Sequence, residues 1–98
     1  MSAYLVSVCE VTNKSDALMS YAQQSAELIS THGGSYIIRG PANEILEGEH
    51  LQGKSLVIAR FPSVEAIKGF WNSPEYLAFK PLREGTGIYD IGVFEGAD

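Results

Sequence analysis

The sequence predicts an α+β fold whose elements follow the order β-α-β-β-α-β. Four short segments rich in β-branched and aromatic residues alternate with two longer segments of helical periodicity. Glycine and proline residues separate these segments. The chain has 98 residues, of which 45% are hydrophobic, and this size is typical of one domain with one core. We therefore predict a single domain over residues 1–98.

The first strand and the first helix occupy the amino-terminal third of the chain. Residues 3–11, AYLVSVCEV, are too short for a core helix and predict strand one. Asn13 is the predicted N-cap of the helix that follows. Gly33 suits the left-handed conformation that closes a helix. The predicted inner face of the helix consists of Leu18, Tyr21, Ala22, Ser25, Leu28 and Ile29.

Two further strands are predicted in the middle of the chain. Residues 35–39 predict strand two, which Gly40-Pro41 bends and residues 42–46 extend. Residues 47–54 contain two glycines and little apolar content, and they predict a turn. Residues 55–61, SLVIARF, predict strand three.

The second helix is predicted to be broken. Ser63 caps its first piece, and Ser73 with Pro74 caps and starts a second, short piece that lasts until Pro81. Residues 87–95 then predict strand four. This order is that of a ferredoxin-like sandwich, in which right-handed crossovers place both helices on one face of a four-stranded antiparallel sheet.

The strands carry apolar residues for both faces of that sheet. Two helices cover only one face, so the other must be buried against something else. A second copy of the chain is the expected cover, which predicts a homodimer. The alternative is an apolar ligand groove in a monomer. Alternation along strand one, for example, places Tyr4, Val6 and Val8 on one face and Leu5, Cys9 and Val11 on the other.

The charge pattern excludes several classes of partner. Twelve acidic residues outnumber seven basic ones, which are scattered along the chain. We therefore expect no nucleic-acid and no membrane partner. The single cysteine, Cys9, makes no internal disulfide, and the first residues lack the basic start of a signal peptide. A cytoplasmic location is the expectation. His50 with Glu47 and Glu49 matches no metal-ligand spacing, so no metal and no cofactor are predicted.

Most of the chain resembles the family called domain of unknown function 1330, of the dimeric α/β-barrel superfamily. The residues that carry the resemblance are AYLVSVCEV at 3–11, HGGSYIIRG at 32–40, EILEGEH at 44–50, SLVIARFPSVEAIKGFWNSPEY at 55–76 and KPLR at 80–83. Pro41 stands where the family pattern has a glycine. The resemblance implies a ferredoxin-like protomer and a homodimer, and it implies no established chemistry.

Three basic side chains are candidates for a site. His32 follows the first helix, and its imidazole is the candidate general base, with contacts to the helix's last carbonyls as the alternative role. Arg39 and Arg60 lie on neighbouring predicted strands and are candidates to bind a carboxylate or an enolate. The alternative is that each arginine pairs with a nearby acidic residue.

Aromatic residues supply the remaining candidates. Tyr36, Trp71 and Tyr76 are predicted to line a pocket for a small aromatic or cyclic ligand, with ordinary core packing as the alternative. Two functions follow from these candidates. One is small-molecule binding with proton transfer or oxidation that needs no cofactor, in which His32 is the base and Arg39 stabilises an enolate. The other is a non-catalytic binding or protein-interaction module, and the sequence does not decide whether the protein is an enzyme.

Overall fold

The predicted fold class is confirmed by the computed structural model, which describes all of residues 1–98. Its elements are β1 (Ala3–Val11), α1 (Asp16–Thr31), β2 (Ser35–Pro41), β3 (Ser55–Phe61), α2 (Val64–Trp71), α3 (Pro74–Phe79) and β4 (Gly87–Glu95). A 3-10 turn, Lys80–Arg83, follows α3. The strands form one antiparallel sheet in the order β2-β3-β1-β4, with β1 and β3 at its centre.

Helix α1 begins at a different cap from the predicted one. Ser15, not Asn13, is the N-cap, and its Oγ accepts a hydrogen bond from the Leu18 N–H at 3.1 Å. The Asn13 N–H instead donates to the Thr86 carbonyl at 3.0 Å, which ties this residue to the segment before β4. The predicted end of the helix is confirmed. Gly33 has φ 82°, and the Gly34 N–H donates to the Ile29 carbonyl at 2.9 Å, as in a Schellman motif.

Strand β2 is shorter than predicted. It ends at Pro41, and residues 42–46 form no strand. Pro41 pairs with Ser55, where β3 begins, so the chain beyond Pro41 has no neighbouring backbone to bond with. The residues that follow, up to Lys54, form bends and turns.

The break in the second helix is confirmed. Ser63 Oγ accepts from the Ala66 N–H at 3.1 Å at the start of α2. Ser73 Oγ accepts from the Tyr76 N–H at 3.1 Å and donates to the Phe70 carbonyl at 2.8 Å. One buried hydroxyl therefore ends α2 and starts α3, which places the aromatic rings before and after the break side by side.

The helices cover only one of the two faces of the sheet. The helices bury the core on one face, whose largest buried side chains are Phe61, Ile67, Phe70 and Tyr76. On the other face, which we call the open face, Ile38 is 45%, Ile88 59% and Phe94 56% exposed. Register pairs run across this face from Val6 to Ile58 to Ile38. None of the helices has the length and apolar character needed to cross a bilayer.

Candidate functional site

A cavity of about 130 Å³ lies between the sheet and the helices, and we call it the helix–sheet cavity. All four strands and helices α1, α2 and α3 contribute to its wall, which is mostly apolar. The lining residues are Leu5, Ser7, Cys9, Tyr21, Ala22, Ser25, Ile29, Tyr36, Arg39, Val57, Ala59, Phe70, Trp71, Tyr76, Tyr89 and Ile91.

A β-bulge brings Tyr36 and Arg39 to the same wall of this cavity. Residues three apart on a regular strand point to opposite faces. Here Tyr36 pairs with Ala59 and Arg39 pairs with Val57, and the register shifts between Tyr36 and Ile38. The bulge adds one residue to the strand between Tyr36 and Arg39. Both side chains therefore point to the face of the sheet that the helices cover. The Arg39 guanidinium carbon lies 4.8 Å from the centre of the Tyr36 ring, a cation–π contact.

Arg39 has no acidic partner. The one salt bridge in the structure joins Lys54 to Glu10 at 3.8 Å. Arg39 is exposed on the edge strand β2, and its guanidinium donors make no side-chain hydrogen bond. These donors are therefore free to bind a ligand at the cavity wall.

A pair of hydrogen-bonded phenols forms another part of the wall. The hydroxyls of Tyr21 and Tyr76 are 2.8 Å apart. Burial, and then the hydrogen bond to Tyr21, raise the pKa of Tyr76 well above its ordinary value, and the opposing effect of Arg83 is smaller. Burial also raises the pKa of Tyr36, against the smaller opposing effect of Arg39. These phenols consequently stay protonated at neutral pH and serve as hydrogen-bonding groups, not as bases.

Arg83 contacts Tyr21 and Tyr89 but does not itself line the cavity. Its guanidinium carbon lies 5.7 Å from the centre of the Tyr21 ring and 5.0 Å from that of Tyr89. The Tyr89 hydroxyl is in turn 2.6 Å from Thr86 Oγ1, a hydrogen bond that fixes the ring. Arg83 therefore makes cation–π contacts with two tyrosines that line the cavity.

Ser25 places an unpartnered hydroxyl in the cavity wall. The residue is 4% exposed, and its Oγ makes no hydrogen bond. A serine in a helix often donates to the carbonyl of the preceding turn, as Thr31 does to the Glu27 carbonyl at 3.1 Å. A buried polar atom without a partner costs about 1–3 kcal/mol, so this hydroxyl is expected to lower the stability of the protein.

Ser25→Ala is expected to stabilise the ligand-free protein by about 1 kcal/mol, because it removes an unsatisfied buried hydroxyl. The measurement is urea denaturation at one fixed protein concentration. Ser30→Ala, at an exposed position of the same helix, is the matched control and should change the free energy of unfolding by less than about 0.5 kcal/mol. A loss of stability in Ser25→Ala alone would show that the hydroxyl has a partner within the protein.

The structure brings together four of the six predicted site residues. Tyr36, Arg39, Trp71 and Tyr76 line the helix–sheet cavity, and the rings of Trp71 and Tyr76 lie 4.9 Å apart. The cavity also contains Tyr21, Ser25 and Tyr89, which were not predicted as site residues. A serine on the apolar face of α1 was the one sequence signal for Ser25.

His32 and Arg60 are not among the residues that line this cavity. His32 is the C-cap of α1, and its ring packs edge-on against Phe70 with the ring centres 6.1 Å apart. Arg60 faces the open side of the sheet, where its Nε donates to Ser2 Oγ at 2.9 Å. The side chains of Arg39 and Arg60 project from opposite faces of the sheet, so they do not bind one ligand together.

The structure contains no cluster of three or more histidine, cysteine, aspartate or glutamate side chains that would hold a metal ion. Cys9 faces the cavity, and its Sγ lies 3.0 Å from Ser7 Oγ. The wall therefore contains hydroxyls, one thiol, one indole N–H and one guanidinium as its polar side-chain groups.

Comparison with known proteins places the chain in a family. Residues 2–97 match the family described as Domain of unknown function (DUF1330). The chain belongs to this family. No curated protein matches the sequence of this DUF1330 chain.

Solved structures share the fold of this DUF1330 protein at low sequence identity. A protein of unknown function from Rhodopseudomonas palustris, RPA0582, has a TM-score of 0.76 at 16% identity, over 99% of this chain and 83% of that one. SnoaB, a cofactor-independent oxygenase from Streptomyces nogalater, has a TM-score of 0.69 at 13% identity, over 99% and 94%. A nipsnap family protein with unknown function from Agrobacterium tumefaciens has a TM-score of 0.62 at 17% identity, over 98% and 88%. At these identities the similarity shows the fold alone.

Proposed function

We propose that this protein is a homodimer that binds a small aromatic or cyclic molecule in the helix–sheet cavity of each protomer. The observation that carries the proposal is a mostly aromatic and aliphatic cavity wall that contains the unpaired guanidinium of Arg39 beside the Tyr36 ring. Ligand sites typically combine such a wall with a small number of polar groups that orient the ligand. Arg39 and the hydroxyls of the tyrosines are those groups here.

The open face supports the homodimer. Its apolar side chains lie on all four strands, and a two-fold axis through the centre of the face would pack each sheet against its copy. Val6, Val8, Leu56 and Ile58 on the two central strands are half-buried already, so the partner would complete their burial. The helix–sheet cavity is on the opposite side of the sheet and stays accessible in this arrangement.

The geometry supports binding more than turnover. Proton transfer, or oxidation without a cofactor, requires a base beside the ligand. His32 is outside the wall, and the phenols of Tyr36 and Tyr76 hold their protons. Similarity of fold to an oxygenase does not supply a catalytic group. Binding is therefore the function that these residues carry.

The cavity can be tested through its tryptophan. Trp71 is the single tryptophan of the chain and lines the cavity, so its indole N–H gives one NMR signal that reports on an occupant. We expect this signal to shift with at least one member of a panel of small aromatic and cyclic compounds. Ala22→Phe places a ring where a small, exposed side chain now borders the cavity, and it should weaken binding at least about tenfold by occupying the ligand's space.

Ala17→Phe is the matched control, because Ala17 is exposed on the same helix and does not line the cavity. This variant should bind as the wild type does. Equal binding by Ala22→Phe, or no shift of the Trp71 signal with any compound of the panel, would contradict the proposed site.

A further inference from the structure

We propose that the ligand is an anion, a single aromatic ring that carries a carboxylate, and that Arg39 binds this carboxylate. The inference rests on the proposed function and adds the chemical class of the ligand. Three features of the cavity carry it: the sign of its charge, its volume, and an aromatic wall with one exposed cation at the sheet edge.

The charge of the cavity is opposite to that of the protein. The chain has twelve acidic and seven basic residues and a net charge of -5. The wall nevertheless contains no aspartate and no glutamate, and Arg39 is its one charged residue. An unpaired guanidinium in an acid-free wall attracts an anion and offers a planar fork that matches a carboxylate. Arg83, behind Tyr21 and Tyr89, adds a second positive charge close to the same wall.

The size of the cavity matches a ligand of one ring. Its volume is about 130 Å³. In another protein, an engineered apolar cavity of about 150 Å³ binds benzene. A benzene-sized ring therefore matches the volume of the cavity, while a larger ring system would extend through its opening into solvent.

The arrangement of the wall orients such a ligand. Phe70, Trp71 and Tyr76 form an aromatic group in which neighbouring ring centres are 4.8 and 4.9 Å apart. An aromatic ring packs against these side chains. Arg39 is on the edge strand β2 and is exposed to solvent, so the carboxylate stays partly hydrated while it binds the guanidinium. Partial hydration avoids the desolvation cost of a fully buried ion pair.

Three ligands of nearly equal shape separate charge from size. Benzoate is an anion, benzamide is neutral and benzamidine is a cation. We expect dissociation constants, measured from the Trp71 indole signal at low salt, to rise in that order, with benzoate binding about tenfold more tightly than benzamide. Added salt should weaken the binding of benzoate and leave that of benzamide unchanged.

The variant Arg39→Gln should weaken the binding of benzoate about tenfold, to the affinity of benzamide, and so remove the preference. Arg39 is exposed, so this variant is expected to fold. Lys14→Gln, which changes the net charge equally at an exposed site outside the cavity, is the matched control and should keep the preference.

The outcomes separate this inference from the proposed function. Equal affinity for benzoate and benzamide, or a preference that survives Arg39→Gln, would overturn the anionic ligand while the cavity remains a binding site. A lack of binding by all three compounds would overturn the single-ring ligand. In that case the wider panel, with Ala22→Phe, decides the proposed function independently.

Discussion

Ile58→Glu is expected to convert the proposed homodimer into a monomer. Ile58 is at the centre of the open face, where its register partners are Val6 and Ile38. A two-fold interface would bury two such glutamates without partners, which costs several kcal/mol. The dissociation constant of the dimer should rise at least about a thousandfold. Sedimentation at micromolar concentration should show a wild-type mass of twice 10.6 kDa and a variant mass of 10.6 kDa.

Met19→Glu is the control for this variant. Met19 is 69% exposed on helix α1, on the covered side of the sheet, so the same charge there should leave the dimer intact. A wild-type protein that sediments at 10.6 kDa under these conditions would contradict the homodimer.

Phe70→Ala is expected to cost about 3–5 kcal/mol of the free energy of unfolding, because it leaves a cavity where a large buried ring was. Phe70 is 2% exposed, and its ring centre lies 6.0 Å from that of Phe61 and 4.8 Å from that of Tyr76. It thus joins the sheet to the broken helix in the wall of the helix–sheet cavity. The free energy of unfolding of a small domain is about 5–15 kcal/mol in total, so this loss is a large fraction of the stability.

Urea denaturation at one fixed protein concentration measures this loss, because the stability of a dimer depends on concentration. Leu77→Ala is the control. Leu77 is 54% exposed on the neighbouring helix α3, so its removal should cost less than about 1 kcal/mol. An equal loss in the two variants would show that Phe70 is not part of a tightly packed core.

Local sequence signals were sufficient for most of the fold. Strands β1, β3 and β4 have the predicted bounds, and both caps of the broken helix are where serine and proline indicated. These features depend on residues adjacent in sequence, such as a side chain that accepts from an N–H three residues on. The two errors have a non-local origin. Asn13 is bonded to Thr86, and residues 42–46 lack a partner strand.

The candidate site was predictable only in part. Tyr36, Trp71 and Tyr76 were proposed because of their ring chemistry, and the cavity includes them. Arg39 and Arg60 were proposed to bind one ligand because they lie on neighbouring strands. The face of the sheet from which each side chain projects depends, however, on the strand register and on the bulge in β2. A bulge shifts the phase of a strand without a distinct sequence signal, so the sequence did not reveal that Arg39 faces the helices.

By itself the sequence determined the order of the elements, the caps of the broken helix and the two apolar faces of the sheet, because hydrophobic periodicity and capping are local properties of the chain. Only the tertiary structure decided which polar groups meet. It placed Ser25 and Arg39 in one wall and moved His32 and Arg60 away from it. The physical reason is that a site joins residues distant in sequence, and strand register and helix packing, not composition, determine their positions.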